Sequence, residues 1–303
     1  MAALVMPELK TVGALVAWAR QSLVQAGVSN GAQEAIWLLE HALEVRSHQL
    51  VSQMDRLVSP DIRTCIESLV ARRVAREPLQ YLLGTQEFCG LEFSVGPAVL
   101  IPRPETELLI HHVVDHVQTL SDATIVDVGT GSGCVAITLA ARLNGRRILA
   151  IDRSPEALGI AQVNAMRHGV RDRIELLEGD LLAPLREREG ADSVDVIVSN
   201  PPYISESDWA GLEPEVRVFE PRMALVGGEQ GTEFHERLLR ESRVFLVPGG
   251  LLVMEIGAGQ APTVRQLAEQ IGGYAALRII EDAAGIERVV MAQRLNRKHH
   301  VDG

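Results

Sequence analysis

From about Glu105 onward, apolar runs of four to six residues alternate with stretches of helical period, and few architectures accept that alternation. The runs are Thr124-Ile125-Val126-Asp127, Arg147-Ile148-Leu149-Ala150-Ile151, Arg173-Ile174-Glu175-Leu176, Val194-Asp195-Val196-Ile197-Val198 and Gly250-Leu251-Leu252-Val253-Met254-Glu255. Near-continuous apolar strands of this kind are buried on both faces, as in a parallel sheet covered by crossover helices. The pattern therefore predicts a doubly wound α/β domain over residues 105–295.

A different pattern precedes it. From Leu9 to about Glu77 apolar residues recur at steps of three and four, as in Val12, Leu15, Val16 and Leu23 and again in Ile36, Leu39 and Leu43. This predicts a small helical domain over residues 1–80. Helix starts are marked by Asn30 with Gln33 three residues on, and by Ser59-Pro60, where serine caps and proline takes the first helical position. Their spacing assigns Trp18 and Trp37 to the core. Residues 81–104 read as a β-hairpin linker, because Gly and Pro punctuate the short runs from Pro78 to Gly84 and from Phe88 to Val95. Residues 296–303 form a polar tail expected to fray.

Charge and cysteine usage narrow the function classes. Counting 29 Lys and Arg against 40 Asp and Glu gives a net charge of −11, which repels a phosphate backbone and disfavours nucleic acid as the main substrate. Cys65, Cys89 and Cys134 have no CxxC spacing, so neither a disulfide framework nor a zinc site is indicated and a reducing cytoplasm fits. The histidines show no HExxH spacing; His111, His112 and His116 on one predicted helix read as surface residues, and no metal is expected. Met1 to Lys10 carries a short apolar stretch with no basic region before it, and no run reaches bilayer length, so neither export nor membrane insertion is expected.

Three loops fall at successive strand ends. Asp127-Val128-Gly129-Thr130-Gly131-Ser132-Gly133-Cys134 follows the first strand and opens a helix from Val135 to Leu143; its glycines allow a tight turn and close backbone approach to a ligand. A dinucleotide fingerprint would need glycine at the sixth position of the motif, which is Cys134, and this counts against a dehydrogenase. The next strand ends in Asp152, placed to accept hydrogen bonds from ribose hydroxyls. The third ends in Gly179-Asp180, where Asp180 can meet an adenine amino group with Leu181 against the ring. Each aspartate alone is more often a turn or cap residue. Together they describe a pocket for the adenosyl sulfonium S-adenosylmethionine, with Gly129, Thr130, Gly131, Ser132, Gly133, Asp152, Asp180, Leu181 and Asn200 as its residues.

The fourth strand ends in Asn200-Pro201-Pro202-Tyr203. Two prolines fix φ and remove two backbone donors, so the carbonyls of Asn200 and Pro201 are not absorbed into local hydrogen bonds. With the Asn200 side-chain oxygen they offer acceptors to both hydrogens of a planar NH2 group, and Tyr203 offers an aromatic face to stack on it. Asn200, Pro201 and Tyr203 are thus the catalytic candidates, and Asn200 to Tyr203 the substrate-binding turn. A plain strand-terminating turn is the bland alternative.

On these segments the chain resembles the HemK/PrmC-type release factor glutamine methyltransferases. The resemblance rests on Arg76 to Gly84, Val99 to Glu107, Asp127 to Gly133, Val198 to Ile204, Glu220 to Gly231, Glu255-Ile256-Gly257 and Asp282 to Val290, and covers nearly the whole chain. It implies a Rossmann-like class I S-adenosylmethionine-dependent methyltransferase domain preceded by a substrate-binding helical domain. It further implies a cytoplasmic enzyme that methylates the side-chain amide nitrogen of the glutamine in the Gly-Gly-Gln motif of peptide-chain release factors 1 and 2, leaving S-adenosylhomocysteine. Two departures stand out: Cys89 where a bulky aromatic is expected, and a longer, more charged stretch from Leu185 to Asp192. Arg103, Glu105 and Glu107 are open between closing the cofactor pocket and structural ion pairing. The rival readings are a glutamine methyltransferase of a ribosomal protein, an adenine-N6 DNA methyltransferase, for which the chain lacks a basic recognition surface, and a non-catalytic binding factor.

Overall fold

The computed structural model describes residues 10–118, 120, 122–275 and 277–296, so Met1 to Leu9 and nearly all of the polar tail lie outside the described residues. The chain divides into two compact units. One comprises residues 1–84 with 214–219, the other residues 85–213 with 220–303.

The first unit is helical. It contains α1 (Val12–Gln25), α2 (Gly31–Leu43), α3 (Ser47–Ser52), α4 (Pro60–Val74) and α5 (Leu79–Leu83). Thr11 caps α1 by accepting from the Ala14 N–H, and Ser59 caps α4 by accepting from Ile62, with Pro60 at the first position. At α2 the start is where Asn30 predicts it, but the capping box is not made. The Asn30 backbone lies at ψ 28°, outside the extended region a capping side chain needs, and its carbonyl accepts from Gln33 and Glu34 instead. The tryptophans split: Trp18 packs against the core of Leu15, Leu23, Leu38, Leu39 and Ile66, whereas Trp37 is 41% exposed. Residues 81–83, read above as the start of the hairpin linker, belong to helix α5. Pro78 precedes it, Leu79, Tyr81 and Leu82 turn inward, and Gly84 ends it in the left-handed region at φ 75°. The returning segment 214–219 is held by ion pairs: buried Arg73 bonds Glu34 at 2.6 Å and Glu215 at 3.0 Å, and Arg76 reaches Glu215 at 2.7 Å.

The second unit begins with a hairpin of β1 (Thr85–Phe88) and β2 (Leu91–Ser94), whose Phe88 and Phe93 are buried in that unit's core. Both turn residues have positive φ, 53° at Cys89 and 80° at Gly90, as a two-residue hairpin of matching twist requires. Cys89 N–H donates to Glu107 at 2.8 Å, which holds the non-glycine residue in that conformation. Then follow α6 (Glu107–Val117), β3 (Thr124–Val128), α7 (Cys134–Arg142), β4 (Arg147–Asp152), α8 (Pro155–Arg167), β5 (Ile174–Glu178), β6 (Val194–Ser199), β7 (Ile204–Ser205), β8 (Val226–Gly228), α9 (Glu233–Phe245), β9 (Leu246–Glu255), α10 (Ala261–Ile271), β10 (Arg278–Glu281) and β11 (Glu287–Gln293).

The seven-stranded sheet has the order β10-β11-β9-β6-β3-β4-β5, parallel from β9 to β5 with an antiparallel pair at the other edge. Its two faces bury separate apolar clusters, one under α6 and α7 and one under α9 and α10. From β3 the chain crosses to β4 and then β5 on one side, while β6 lies on the other, so the order reverses between β3 and β6. Ligands of doubly wound sheets bind outside the carboxyl ends of the strands at such a point. The long stretch from Leu185 to Asp192 starts within a 3-10 turn at Ala183–Glu187 and is tied back by Glu189 to Arg147 at 2.6 Å and by Asp192 to Arg294.

Candidate active site

A cleft opens at the reversal between β3 and β6. Its floor is the loop after β3. Gly129 and Gly131 have φ of 73° and 54°, and the N–H groups of Gly129 and Thr130 donate to the Ile151 carbonyl at 2.8 and 2.9 Å, fixing the turn against β4. Thr130 Oγ1 donates to Asp127 at 2.6 Å, and the Ala136 N–H donates to the same oxygen at 3.1 Å, so Asp127 pins the loop to the start of α7. Burial pushes Asp127 up to about 7 against the pull of those two hydrogen bonds.

Four of the five glycine-loop residues predicted to bind a cofactor, Gly129, Thr130, Gly131 and Ser132, line the cleft. Gly133 does not. A Cβ there would meet Ile137 Cδ1 at 2.7 Å and Ala161 Cβ at 3.2 Å, so this glycine serves the approach of α7 to α8. Asp152 lines the cleft and accepts the Gly131 N–H on one oxygen at 2.8 Å and the Ser154 N–H on the other at 3.0 Å. Each carboxylate oxygen keeps further acceptor capacity. Asp180 and Leu181 line the far end, where Asp180 is half-exposed and paired with Arg237 at 2.8 Å. Leu181 is buried, in the left-handed region at φ 48°.

Asn200, Pro201 and Pro202 form the opposite lip, directly after β6. Asn200 Nδ2 donates to Thr106 Oγ1 at 3.0 Å, and among the described residues nothing is bonded to its Oδ1 or to the carbonyls of Asn200 and Pro201. Tyr203 donates its hydroxyl to Glu255 Oε1 at 3.2 Å. Burial and the neighbouring Glu255 raise its pKa. Gln260 Nε2 donates to the Tyr203 carbonyl at 2.8 Å, and Ile204 N–H bonds Leu225 O at 2.9 Å, so the back of the turn is anchored while its front carbonyls stay free.

Thr106 and Glu255 were not picked out as site residues by reading the sequence. Thr106 Oγ1 donates to Glu255 Oε2 at 2.6 Å, both residues are buried, and burial pushes Glu255 up to about 7 against the hydrogen bonds from Thr106 and Tyr203. One signal was available: a carboxylate ending an apolar strand must find buried donors. Behind it His235, fully buried and with its pKa lowered by burial, donates Nε2–H to the Glu255 carbonyl at 2.8 Å. Arg103 pairs with buried Glu220, which also accepts the Ile101 N–H at 3.0 Å; with Glu107 bonded to Cys89, these charges hold backbone segments together. Of the helix histidines, His111 is exposed, while His112 and His116 are half-buried and lowered by burial.

Comparison with known proteins places both parts of the chain. Residues 14–84 match the family described as the PrmC N-terminal domain, and residues 104–211 that described as the methyltransferase small domain. The release factor glutamine methyltransferase of Geobacter sulfurreducens is 42% identical over 284 residues, 94% of this chain and 97% of that one. The protein of the same description from Moorella thermoacetica is 41% identical over 272 residues, covering 90% and 94%. Among solved structures the hMettl16 catalytic domain in complex with MAT2A 3′UTR hairpin 6 superposes with a TM-score of 0.55 at 19% identity, over 74% of this chain and 81% of that one. Human methyltransferase 10 domain containing protein gives 0.50 at 20% identity, over 67% and 88%. At these identities the two structures share the fold.

Proposed function

The chain belongs to the release factor glutamine methyltransferase family, and on that premise we propose that it transfers a methyl group from S-adenosylmethionine to the side-chain amide nitrogen of the glutamine in the Gly-Gly-Gln motif of peptide-chain release factors 1 and 2. The observation that carries the reading is Asn200, whose Nδ2 is bonded to Thr106 while its Oδ1 and the following carbonyls are left without partners on the lip of the cleft.

The cleft fits the co-substrate. Its floor is backbone that glycine brings close, and Asp152 sets a carboxylate on its wall beside the place a sulfonium would take. Gly129 to Ser132 would cradle the amino acid end, Asp152 would take the ribose hydroxyls, and Asp180 and Leu181 would flank the adenine. When bound, S-adenosylmethionine supplies an electrophilic methyl carbon on a charged sulfur.

An amide nitrogen is a poor nucleophile because its lone pair is delocalised into the carbonyl. Asn200 Oδ1 and the Pro201 carbonyl each accept one N–H of the substrate amide, which fixes its plane and aims nitrogen into the cleft. Positioning of this kind is worth about 7 kcal/mol or more in the best intramolecular models. The same acceptor dipoles stabilise the positive charge that develops on nitrogen, the inverse of an oxyanion hole. Tyr203, tied to Glu255 and Gln260, helps hold the turn. The extra proton passes to solvent water after transfer, and release-factor substrates imply a cytoplasmic enzyme.

The test is mass spectrometry of purified release factor after incubation with the protein and S-adenosylmethionine, beside a factor whose Gly-Gly-Gln glutamine is replaced. One added methyl group on that glutamine, absent from the replaced factor, is the expected result. No methylation, with cofactor binding demonstrated by calorimetry, overturns it and directs the search to ribosomal-protein glutamines and then to adenine in DNA.

A further inference from the structure

We propose that Thr106 and Glu255 form a hydrogen-bond relay that sets which way the Asn200 amide faces, so that the site is competent only while Glu255 is ionised. The proposal rests on the reading of Asn200 as the acceptor for the substrate amide. Three observations support it: Asn200 Nδ2 lies 3.0 Å from Thr106 Oγ1, Thr106 Oγ1 lies 2.6 Å from Glu255 Oε2, and Tyr203 closes the other carboxylate oxygen at 3.2 Å.

The direction of each bond follows from the donor inventory. An ionised carboxylate only accepts, so Thr106 must give its single hydroxyl hydrogen to Glu255 and can then only accept from its other side. Asn200 answers with its NH2 group, and Oδ1 is turned to the cleft. A protonated Glu255 becomes a donor to Thr106, whose hydrogen is then free for Asn200 Oδ1. The amide turns over and presents NH2 to a substrate that also brings NH2, and the acceptor is lost. Thr106 and Glu255 are therefore positioning residues, acting through Asn200.

Thr106 and Glu255 are buried, only 2% exposed each. The groups facing the carboxyl are Thr106 and Glu105 from the segment entering α6, Tyr203 from the turn after β6, and Arg288 from β11. His235 of α9 bonds the Glu255 carbonyl, and the half-buried Cys134 of α7 lies within electrostatic reach. Burial raises the carboxyl and Glu105 adds to it, whereas Thr106, Tyr203 and Arg288 oppose them, which leaves it titrating at about 7.

The experiment has two arms on the full-length protein. In the first, the Asn200 side-chain amide resonance, identified by its loss in Asn200→Ala, is followed by NMR between pH 6 and 8.5. It is expected to titrate near neutrality in the wild type and to stop titrating in Thr106→Val and Glu255→Gln. A resonance that does not titrate in the wild type, or still titrates in Glu255→Gln, overturns the relay whatever the substrate proves to be. In the second arm, kcat for release factor methylation is measured over the same range with cofactor affinity followed by calorimetry. Thr106→Val is expected to lose about tenfold to a hundredfold in kcat and to lose the acid limb of the profile, with the cofactor still bound. Thr106→Ser, which keeps the hydroxyl, is expected to restore most of the rate and the limb. Thr106→Val or Glu255→Gln with wild-type kcat and an intact acid limb overturns the relay even if Asn200→Ala is inactive; full activity in Asn200→Ala overturns the parent reading instead.

Discussion

Replacing Gly227 by alanine would press on the catalytic turn from behind. Gly227 lies in β8, paired with β7 immediately after Tyr203. A Cβ there would stand 2.5 Å from the Pro202 carbonyl oxygen, 2.8 Å from the Gly231 carbonyl oxygen and 3.0 Å from Tyr203 Cα. All three are backbone atoms, so no rotamer change relieves the contact, and φ is not in the positive range, so alanine adds no backbone strain of its own. Restoring ordinary contact requires the Pro202 carbonyl to retreat by about 0.9 Å, and overpacking of this kind costs about 1–3 kcal/mol of stability. A displacement of about 1 Å in a positioned site costs about a hundredfold in rate, equivalent to about 2.7 kcal/mol in the barrier. The glycine loop and Asp152 belong to other strand ends, so affinity for S-adenosylhomocysteine is expected to stay at the wild-type level. Calorimetric titration and saturation kinetics on release factor separate the two effects. Gly227→Ala with undiminished kcat, or with a loss explained wholly by weaker cofactor binding, refutes the reasoning.

Asp152→Ala removes the acceptor of the Gly131 and Ser154 N–H groups and the proposed ribose contacts; affinity for S-adenosylhomocysteine should fall by about 2–3 kcal/mol, measured by calorimetry. Glu255 titrates at about 7 in the folded protein against an ordinary 4.5, so it contributes stability that is present below pH 4.5 and lost as pH rises through 7. That contribution is about 3 kcal/mol, and denaturant unfolding of the cofactor-free protein should show a shallower fall between pH 5 and 8 in Glu255→Gln. In the helical unit, Arg73→Ala leaves Glu34 without its buried cation and Glu215 to Arg76, and should cost about 3 kcal/mol, measured by denaturant unfolding.

The parallel strands were legible because their burial on both faces leaves an uninterrupted apolar run: the predicted Thr124–Asp127 and Val194–Val198 each extend one residue further as β3 and β6. The edge pair was not, since Arg278–Glu281 begins and ends in charge and carries little apolar signal. Tyr81–Leu83, placed at the start of the linker, complete helix α5 instead, because leucine and tyrosine between Pro and Gly suit a short helix as well as a strand, and burial of one face decides. The assignment of residues 214–219 to the helical unit depends on Arg73 and Arg76, far away in sequence, and no periodicity announces it. At the site, loops at strand ends were readable from their glycines, prolines and aspartates. The Thr106–Glu255 bond was not, because its partners are 149 residues apart and meet only when β9 lies beside β6. The bond from the Tyr203 hydroxyl to Glu255 was equally illegible, because its partners are far apart in sequence.

The most direct test of the assigned chemistry is single-turnover methyl transfer to release factor by Asn200→Ala preloaded with S-adenosylmethionine. If Asn200 Oδ1 holds the substrate amide, the rate of the cofactor-loaded protein falls by about a hundredfold or more. An undiminished rate with normal cofactor binding contradicts that role and with it the mechanism.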